Sequence, residues 1–85
     1  MNTNDPTTLR TFTSFDDIKI GDTVIYFSFG DSYCYVAVDI EYHVTDGVQY
    51  PRLVLESIYS TNPEMKIGFR GPIDESTRCA DWRLL

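Results

Sequence analysis

Asp39, Glu41 and His43 are the residues whose types and spacing come nearest to an acid–base site. If they lie on a strand, their side chains share one face with about 6.6–6.8 Å between neighbours, close enough for contact. A carboxylate beside an imidazole is the pairing that general acid–base catalysis needs, so a minimal hydrolase is one hypothesis. The alternative is that the three residues form the solvated side of a half-buried strand. Because that explanation is the commoner one, we expect no catalytic residue here and no enzyme.

Nucleophiles and metal ligands are few. Cys34 lies in an apolar series, which predicts a buried, unactivated thiol, whereas Arg78 could lower the pKa of the neighbouring Cys79 thiol. In a reducing cytosol we expect two free thiols, although the sequence leaves a disulfide between them open. Two cysteines and one histidine cannot build a four-ligand zinc site without carboxylates, and no phosphate-binding or dinucleotide-binding loop occurs. We therefore expect no metal and no cofactor.

Recognition is the chemistry that remains. Tyr33 and Tyr35 fall on the same strand face as Asp39, Glu41 and His43. Tyrosine is enriched at interfaces, where one end of the ring is dry and the other wet. These five residues are the predicted contact face for a protein partner. The alternative is that the rings cover the thin core of a small domain.

The C-terminal third offers a second candidate site. Arg70, Arg78 and Trp82 could hold a planar or anionic ligand such as a nucleotide, through ring stacking and charge. The alternative is that the arginines pair with the acids near them. A small-ligand module is therefore the second hypothesis for function.

The charge balance restricts the class of partner. The chain has 85 residues, with 13 acids against seven bases and a formal net charge of −6. Nucleic acids and anionic membranes both attract clustered Lys and Arg, so direct binding to either is not expected. A protein partner with a basic surface fits this charge better.

The sequence also supports expectations about where the protein is located and what it does. No apolar run approaches the ~20 residues of a membrane helix, and residues 1–6 lack the features of a signal peptide, so we expect a soluble, cytoplasmic protein. Small acidic proteins often act as adaptors or inhibitors, including viral proteins that antagonise host defence or nucleic-acid enzymes. By that analogy, the leading hypothesis is a non-enzymatic acidic binding module acting through protein–protein contact. A homo-oligomer is a variant of this hypothesis.

The element that would position the predicted face is a long strand. Residues 33–44 alternate with period two, and one set is entirely apolar: Cys34, Val36, Val38, Ile40, Tyr42 and Val44. This pattern predicts a half-buried antiparallel strand with the apolar set in the core and the predicted contact face outside. The following Asp46-Gly47 predicts a type I′ hairpin turn.

Shorter elements surround this strand. Ser14 is expected to cap a helical turn from which Phe15 and Ile18 point inward. Pro51 places part of its strand at an edge or a bulge. Gly71-Pro72 is expected to break the strand predicted over residues 65–69. The remaining predictions are strands over residues 23–29, 48–60, 65–69 and 82–85, and a helical turn over residues 74–77.

Five short strands with tight turns predict a mainly β, small antiparallel five-stranded barrel with one short helical turn. The run Asp17-Ile-Lys-Ile-Gly-Asp-Thr-Val24 resembles the opening hydrophobic-Gly-Asp-x-Val turn of SH3-like barrels, a resemblance that implies fold only. An OB-like barrel and a curled meander are the alternatives. The predicted organisation is a flexible N-terminal segment over residues 1–11 and a single β-barrel domain over residues 12–85.

Overall fold

The computed structural model describes residues 9–73 and 77–85, which form a mainly β structure. The five strands are β1 Thr23–Ser28, β2 Asp31–Thr45, β3 Val48–Ser60, β4 Arg70–Pro72 and β5 Trp82–Leu84, with 3₁₀ turns at Phe15–Asp17 and Cys79–Asp81. They form one antiparallel sheet in the order β4-β3-β2-β1-β5. Within the described ranges the edge strands β4 and β5 are not paired, so the sheet curls without closing into a barrel. In the same ranges no helix is long and apolar enough to cross a membrane.

The segment before β1 follows the prediction. The Ser14 side chain accepts a hydrogen bond from the Asp16 amide at 3.1 Å and caps the first 3₁₀ turn. Ile18 is buried, and Phe15 packs against the core. Gly21, in the left-handed region at φ 98°, donates its amide to the carbonyl of Ala37 at 2.7 Å. This turn therefore fastens the start of β1 to the middle of β2.

The β2–β3 hairpin is also confirmed. Asp46 and Gly47 have φ angles of 53° and 77°, the pair of positive values that a type I′ turn requires. Pro51 pairs with Tyr42 of β2. Among the described residues β3 gains its second neighbour, β4, only at Val54–Glu56, so Pro51 stands at an edge as predicted.

The prediction for the segment before β4 is wrong. Residues 65–69 form turns, because Met65 bonds back to Asn62 and Gly68 takes a positive φ of 83°. The strand begins at Arg70 and runs through Gly71-Pro72. Proline is tolerated there because β4 is an edge strand. Of the predicted helical turn over residues 74–77, residues 74–76 lie outside the described ranges, and the second 3₁₀ turn comes later, at Cys79–Asp81.

The core sits on the concave face of the sheet. The buried apolar residues are Ile18, Val24, Ala37, Leu53, Leu55 and Trp82. Trp82 is the centre of an aromatic cluster, with ring centroids 5.3 Å from Phe15, 4.9 Å from Tyr26 and 5.5 Å from Tyr35. Edge-to-face and tilted contacts of this kind contribute about 0.5–1.5 kcal/mol per pair beyond the area they bury.

The predicted orientation of β2 is wrong over residues 33–37. Ala37 is buried opposite Leu55, and Tyr35 packs against the core, so the tyrosine set faces inward. Cys34 and Val36 lie half-buried on the opposite face. Aromatic rings bury about 150–250 Å² each, more than a cysteine or valine can, and this favours the observed orientation.

A β-bulge then reverses the pattern. The register of β2 with β3 shifts between Ala37 and Asp39, so an extra residue enters β2 there. One extra residue moves every later side chain to the other face of the strand. From Ile40 onward the apolar set therefore shares the face of the buried Leu53. Ile40, Tyr42 and Val44 are exposed, however, so the prediction that they lie in the core is wrong. We call residues 40–51 the arm; they form the turn end of the hairpin.

Candidate binding surfaces

The arm has one uncharged face. Ile40 pairs with Leu53, Tyr42 with Pro51, and Val44 with Gln49, so these side chains share a face without charge. Its apolar members are left uncovered: Ile40 is 42% exposed, Tyr42 66% and Val44 57%. Exposed apolar side chains that stand together mark contact sites more often than scattered ones do.

The opposite face of the arm carries the polar residues of the predicted site. Glu41 pairs with Arg52 and His43 with Tyr50, while Asp39 lies at the base of the arm beside Val54. The Asp39 carboxylate accepts a hydrogen bond from the Ile40 amide at 2.8 Å. Among the described residues no hydrogen bond joins any two of Asp39, Glu41 and His43. Nothing in this geometry favours the hydrolase hypothesis.

The predicted contact face is thus divided. Glu41 and His43 remain together on the arm with Asp39 at its base, whereas Tyr33 and Tyr35 turn into the concave face. The Tyr33 hydroxyl accepts a hydrogen bond from the Asn62 side chain at 3.1 Å. The five residues do not form one surface, because the bulge after Ala37 separates them.

A cleft lies where the sheet fails to close, between the edge strands β4 and β5. Its volume is about 460 Å³, within the range of roughly 300–1,000 Å³ typical of small-molecule sites. Trp82 forms one side and Gly71 with Pro72 the other, while Tyr35 and Leu55 line the sheet between them. The loop 65–69 forms the lip, with Met65, Lys66 and Phe69.

Ser57 fixes this lip to the sheet. Its buried hydroxyl donates to the Lys66 carbonyl at 2.8 Å and accepts from the Phe69 amide at 3.0 Å. Its backbone also accepts from the Gly68 amide at 2.7 Å. A buried hydroxyl with both donor and acceptor roles used holds a loop in one position. The cleft is therefore largely preformed.

The structure brings together two of the three residues of the predicted ligand site. Arg70 and Trp82 both line the cleft, whereas Arg78 is not among the lining residues that the structure describes. The Arg70 Nε donates to the Glu56 carboxylate at 2.6 Å. Glu56 pairs with Arg70 across the ladder, on the face opposite Leu55 and Gly71, so the guanidinium points away from the cleft. The cation at the lip, Lys66, was not part of the prediction.

Both cysteines are free thiols, as expected. Burial raises the pKa of the Cys34 thiol. Burial, followed by the charge of Asp17, also raises the pKa of the Cys79 thiol. The hypothesis that Arg78 lowers this pKa is therefore not supported, because the net shift is upward and the lowering contribution comes from a backbone hydrogen bond with Phe15. Among the described residues no group of three or more His, Cys, Asp or Glu side chains is placed to hold a metal ion.

No protein-family model matches the chain, and the searches of curated proteins and of solved structures return no match either. The arm and the cleft are therefore the two features of the molecule from which a function can be inferred.

Sequence reasoning missed most of the cleft. Its lip follows β3 by several residues and meets Trp82 only through the curl of the sheet. The sequence gives only local signals of this cleft. These are two glycines, Gly68 and Gly71, close to Phe69, and Trp82 as the last aromatic residue of the chain. None of these indicates which side chains meet, because the meeting depends on long-range pairing.

Proposed function

We propose that this chain is a non-enzymatic acidic binding module, an adaptor or inhibitor, that contacts a protein partner through the uncharged face of the arm. The observation that carries this proposal is the exposure of Ile40, Tyr42 and Val44 on a ribbon with no covering element among the described residues. The uncharged face has the composition of an interface core, apolar and containing tyrosine.

The surroundings of the arm indicate the partner's charge. Asp39 and Glu41 lie on the opposite face of the same ribbon and Asp46 lies in its turn, so acidic side chains stand close to the uncharged face. Arg52 is the basic residue nearest to them along the ladder. The whole chain carries a net charge of −6. A partner with an apolar groove rimmed by Lys and Arg matches this arrangement, since complementary charge at the rim guides docking and raises the association rate.

The two faces of the arm supply a matched test. A photocrosslinking amino acid, p-benzoylphenylalanine, replaces Tyr42 on the uncharged face or His43 on the charged face. We expect illumination in extract of the source cells to give one dominant protein adduct from position 42 and little from position 43. Unlabelled wild-type protein should compete for that adduct, whereas the Tyr42→Ser variant should not, because a buried tyrosine anchor typically contributes about 2 kcal/mol or more.

Equal adducts from both positions would show that the uncharged face is not the contact, and no competable adduct from either would remove the arm from the proposal. Circular dichroism of each variant checks that the fold is kept. Tyr42 is exposed, so its replacement should change stability little.

The fold that we propose for this module is an SH3-like barrel left open between β4 and β5. The meander β1-β2-β3-β4, the 3₁₀ turn before the last strand, and the pairing of β5 with β1 support this assignment. The turn at Gly21-Asp22, which bonds to Ala37, supports it as well.

A further inference from the structure

We propose that the cleft between β4 and β5 binds a small planar aromatic carboxylate, with its ring between Trp82, Tyr35 and Gly71 and its carboxylate toward Lys66. This site is separate from the arm, so it stands or falls independently of the proposed protein contact. Three features of the cleft carry the proposal: its walls, its charge and its hydroxyl donor.

The walls favour a flat ring. Tyr35, Phe69 and Trp82 supply aromatic surfaces, and Pro72 adds a fourth ring at the edge. Gly71 occupies the inward position of β4 opposite Leu55, and an added Cβ there would meet nothing within 4 Å. The missing side chain leaves a slot beside an apolar wall. Aromatic side chains bind planar ligands by stacked and edge-to-face contact.

The charge favours an anion. Acids outnumber bases by 13 to seven in the chain, yet no Asp or Glu is among the described residues that line the cleft. Lys66 is exposed at the lip, and Ser57 holds the backbone of Lys66 through its carbonyl. A carboxylate at the mouth of the cleft would therefore meet an ammonium group on an anchored loop.

The Tyr35 hydroxyl is the group in the cleft that would donate a hydrogen bond to the ligand. Its only hydrogen bond in the described structure is to the thioether sulfur of Met65, at 3.9 Å. Thioether sulfur is a weak acceptor, so this hydroxyl gains by bonding to a ligand oxygen instead. Burial, with the neighbouring tyrosines Tyr33 and Tyr26, raises the pKa of Tyr35, which keeps the group protonated and able to donate.

An added peptide strand fits the gap less well. Phe69 and Ile73 bond to β3, so in the alternating antiparallel pattern Arg70 and Pro72 point their backbone groups outward. Proline has no N–H, which leaves Arg70 as the single donor on the free edge of β4. β-Strand addition depends on a row of such donors and acceptors, so a small ligand is the better occupant.

The test is a titration of the full chain followed by NMR, with the indole N–H of Trp82 as reporter. Trp82 is the single tryptophan of the chain, so its signal is unambiguous. Phenylacetate is the probe. Benzyl alcohol keeps the ring without the charge, and cyclohexylacetate keeps the charge without the planar ring. We expect saturable shifts with phenylacetate, and binding at least about fivefold weaker for each of the other two compounds.

Four variants locate the site. Gly71→Val fills the slot without forcing the backbone and should weaken phenylacetate binding at least about tenfold. Lys66→Gln should weaken it about threefold, whereas Lys19→Gln, which removes the only other lysine, should have no effect. Tyr35→Phe removes the donor and should weaken binding about fivefold.

Unchanged binding in Gly71→Val, or equal binding of phenylacetate and cyclohexylacetate, would overturn the proposal. So would equal effects of Lys66→Gln and Lys19→Gln, because that result would show attraction by overall charge and not by a site. Urea unfolding of Gly71→Val confirms that the variant is folded. If it is not, Lys66→Gln against Lys19→Gln decides the question alone.

Discussion

Ser57 is the single buried polar side chain among the residues that the structure describes. Its hydroxyl donates a hydrogen bond to the Lys66 carbonyl and accepts one from the Phe69 amide. Replacing it with alanine leaves both backbone groups without their partner in a poorly solvated place. We expect Ser57→Ala to lower the free energy of unfolding by about 1–3 kcal/mol, measured by urea denaturation.

Ser28→Ala is the control for this prediction. Ser28 also lies on a strand, but its hydroxyl makes no hydrogen bond with a described residue, so the change should stay within about 0.5 kcal/mol. A loss in Ser57→Ala no larger than in Ser28→Ala would contradict the anchoring role. The loop 65–69 would then be held by its backbone bonds alone.

Tyr35 is expected to make the free energy of unfolding depend on pH in the alkaline range. Burial raises the pKa of its hydroxyl above the ordinary value, which is about 10 in an unfolded chain. The folded state therefore holds this proton more tightly, and its stabilising effect is complete below about pH 10 and is lost as the pH rises above it. We expect Tyr35→Phe to lose less stability than wild type between about pH 9 and pH 11 in urea unfolding. The same loss of stability in Tyr35→Phe and in wild type over this range would refute the linkage.

At the scale of elements, strand positions were predictable and side-chain orientation was not. Period-two alternation identified β2, and Asp46-Gly47 identified the turn that closes the arm. The same alternation placed Val36 inside and Tyr35 outside, the reverse of the structure. Alternation shows that two faces differ and does not show which face is buried, and a bulge after Ala37 leaves no mark in the pattern.

Edge strands were predictable only in part. β4 contains Gly71-Pro72, which is typical of a strand end because proline has no N–H to donate to a neighbouring strand. Among the described residues β4 has one neighbour, β3, so the missing N–H costs nothing on the free side of β4. The cleft follows from this open edge. Its residues come from three separate parts of the chain, and only tertiary pairing brings them together.

The arm should be able to lose its structure without unfolding the rest. Gly47 and Gly21 both have positive φ, where alanine is strained, and an added Cβ contacts nothing at either position. Gly47 belongs to the exposed arm, whereas Gly21 bonds to Ala37 in the core. We expect Gly47→Ala to speed hydrogen exchange in the arm while the urea midpoint hardly changes, because local opening relieves the strain.

Gly21→Ala should instead lower the urea midpoint, since its strain of about 1–2 kcal/mol cannot be relieved without releasing Ala37. If both variants lower the midpoint equally, the arm is part of the same cooperative unit as the core.

At the scale of the whole molecule, the described structure is elongated, with principal extents of 50 × 33 × 21 Å. The exposed apolar face of the arm belongs to a protein of net charge −6. Like charges repel two copies, whereas a basic partner is attracted. Screening by salt weakens both effects, because the Debye length falls from about 10 Å at 0.1 M to about 3 Å at 1 M. The two candidate occupants of the arm therefore respond to salt with opposite sign.

This opposition gives the last prediction. Sedimentation velocity at about 50 mM and about 500 mM NaCl measures self-association. Titration with the purified partner that crosslinking identifies measures hetero-association under the same conditions. We expect partner affinity to fall with salt and Tyr42→Ser to weaken it at both concentrations, since the apolar contact persists when charges are screened. Any self-association should rise with salt and disappear in Tyr42→Ser. Partner affinity that rises with salt would show that acidic residues do not guide this contact, and would leave the uncharged face as the whole of the interface.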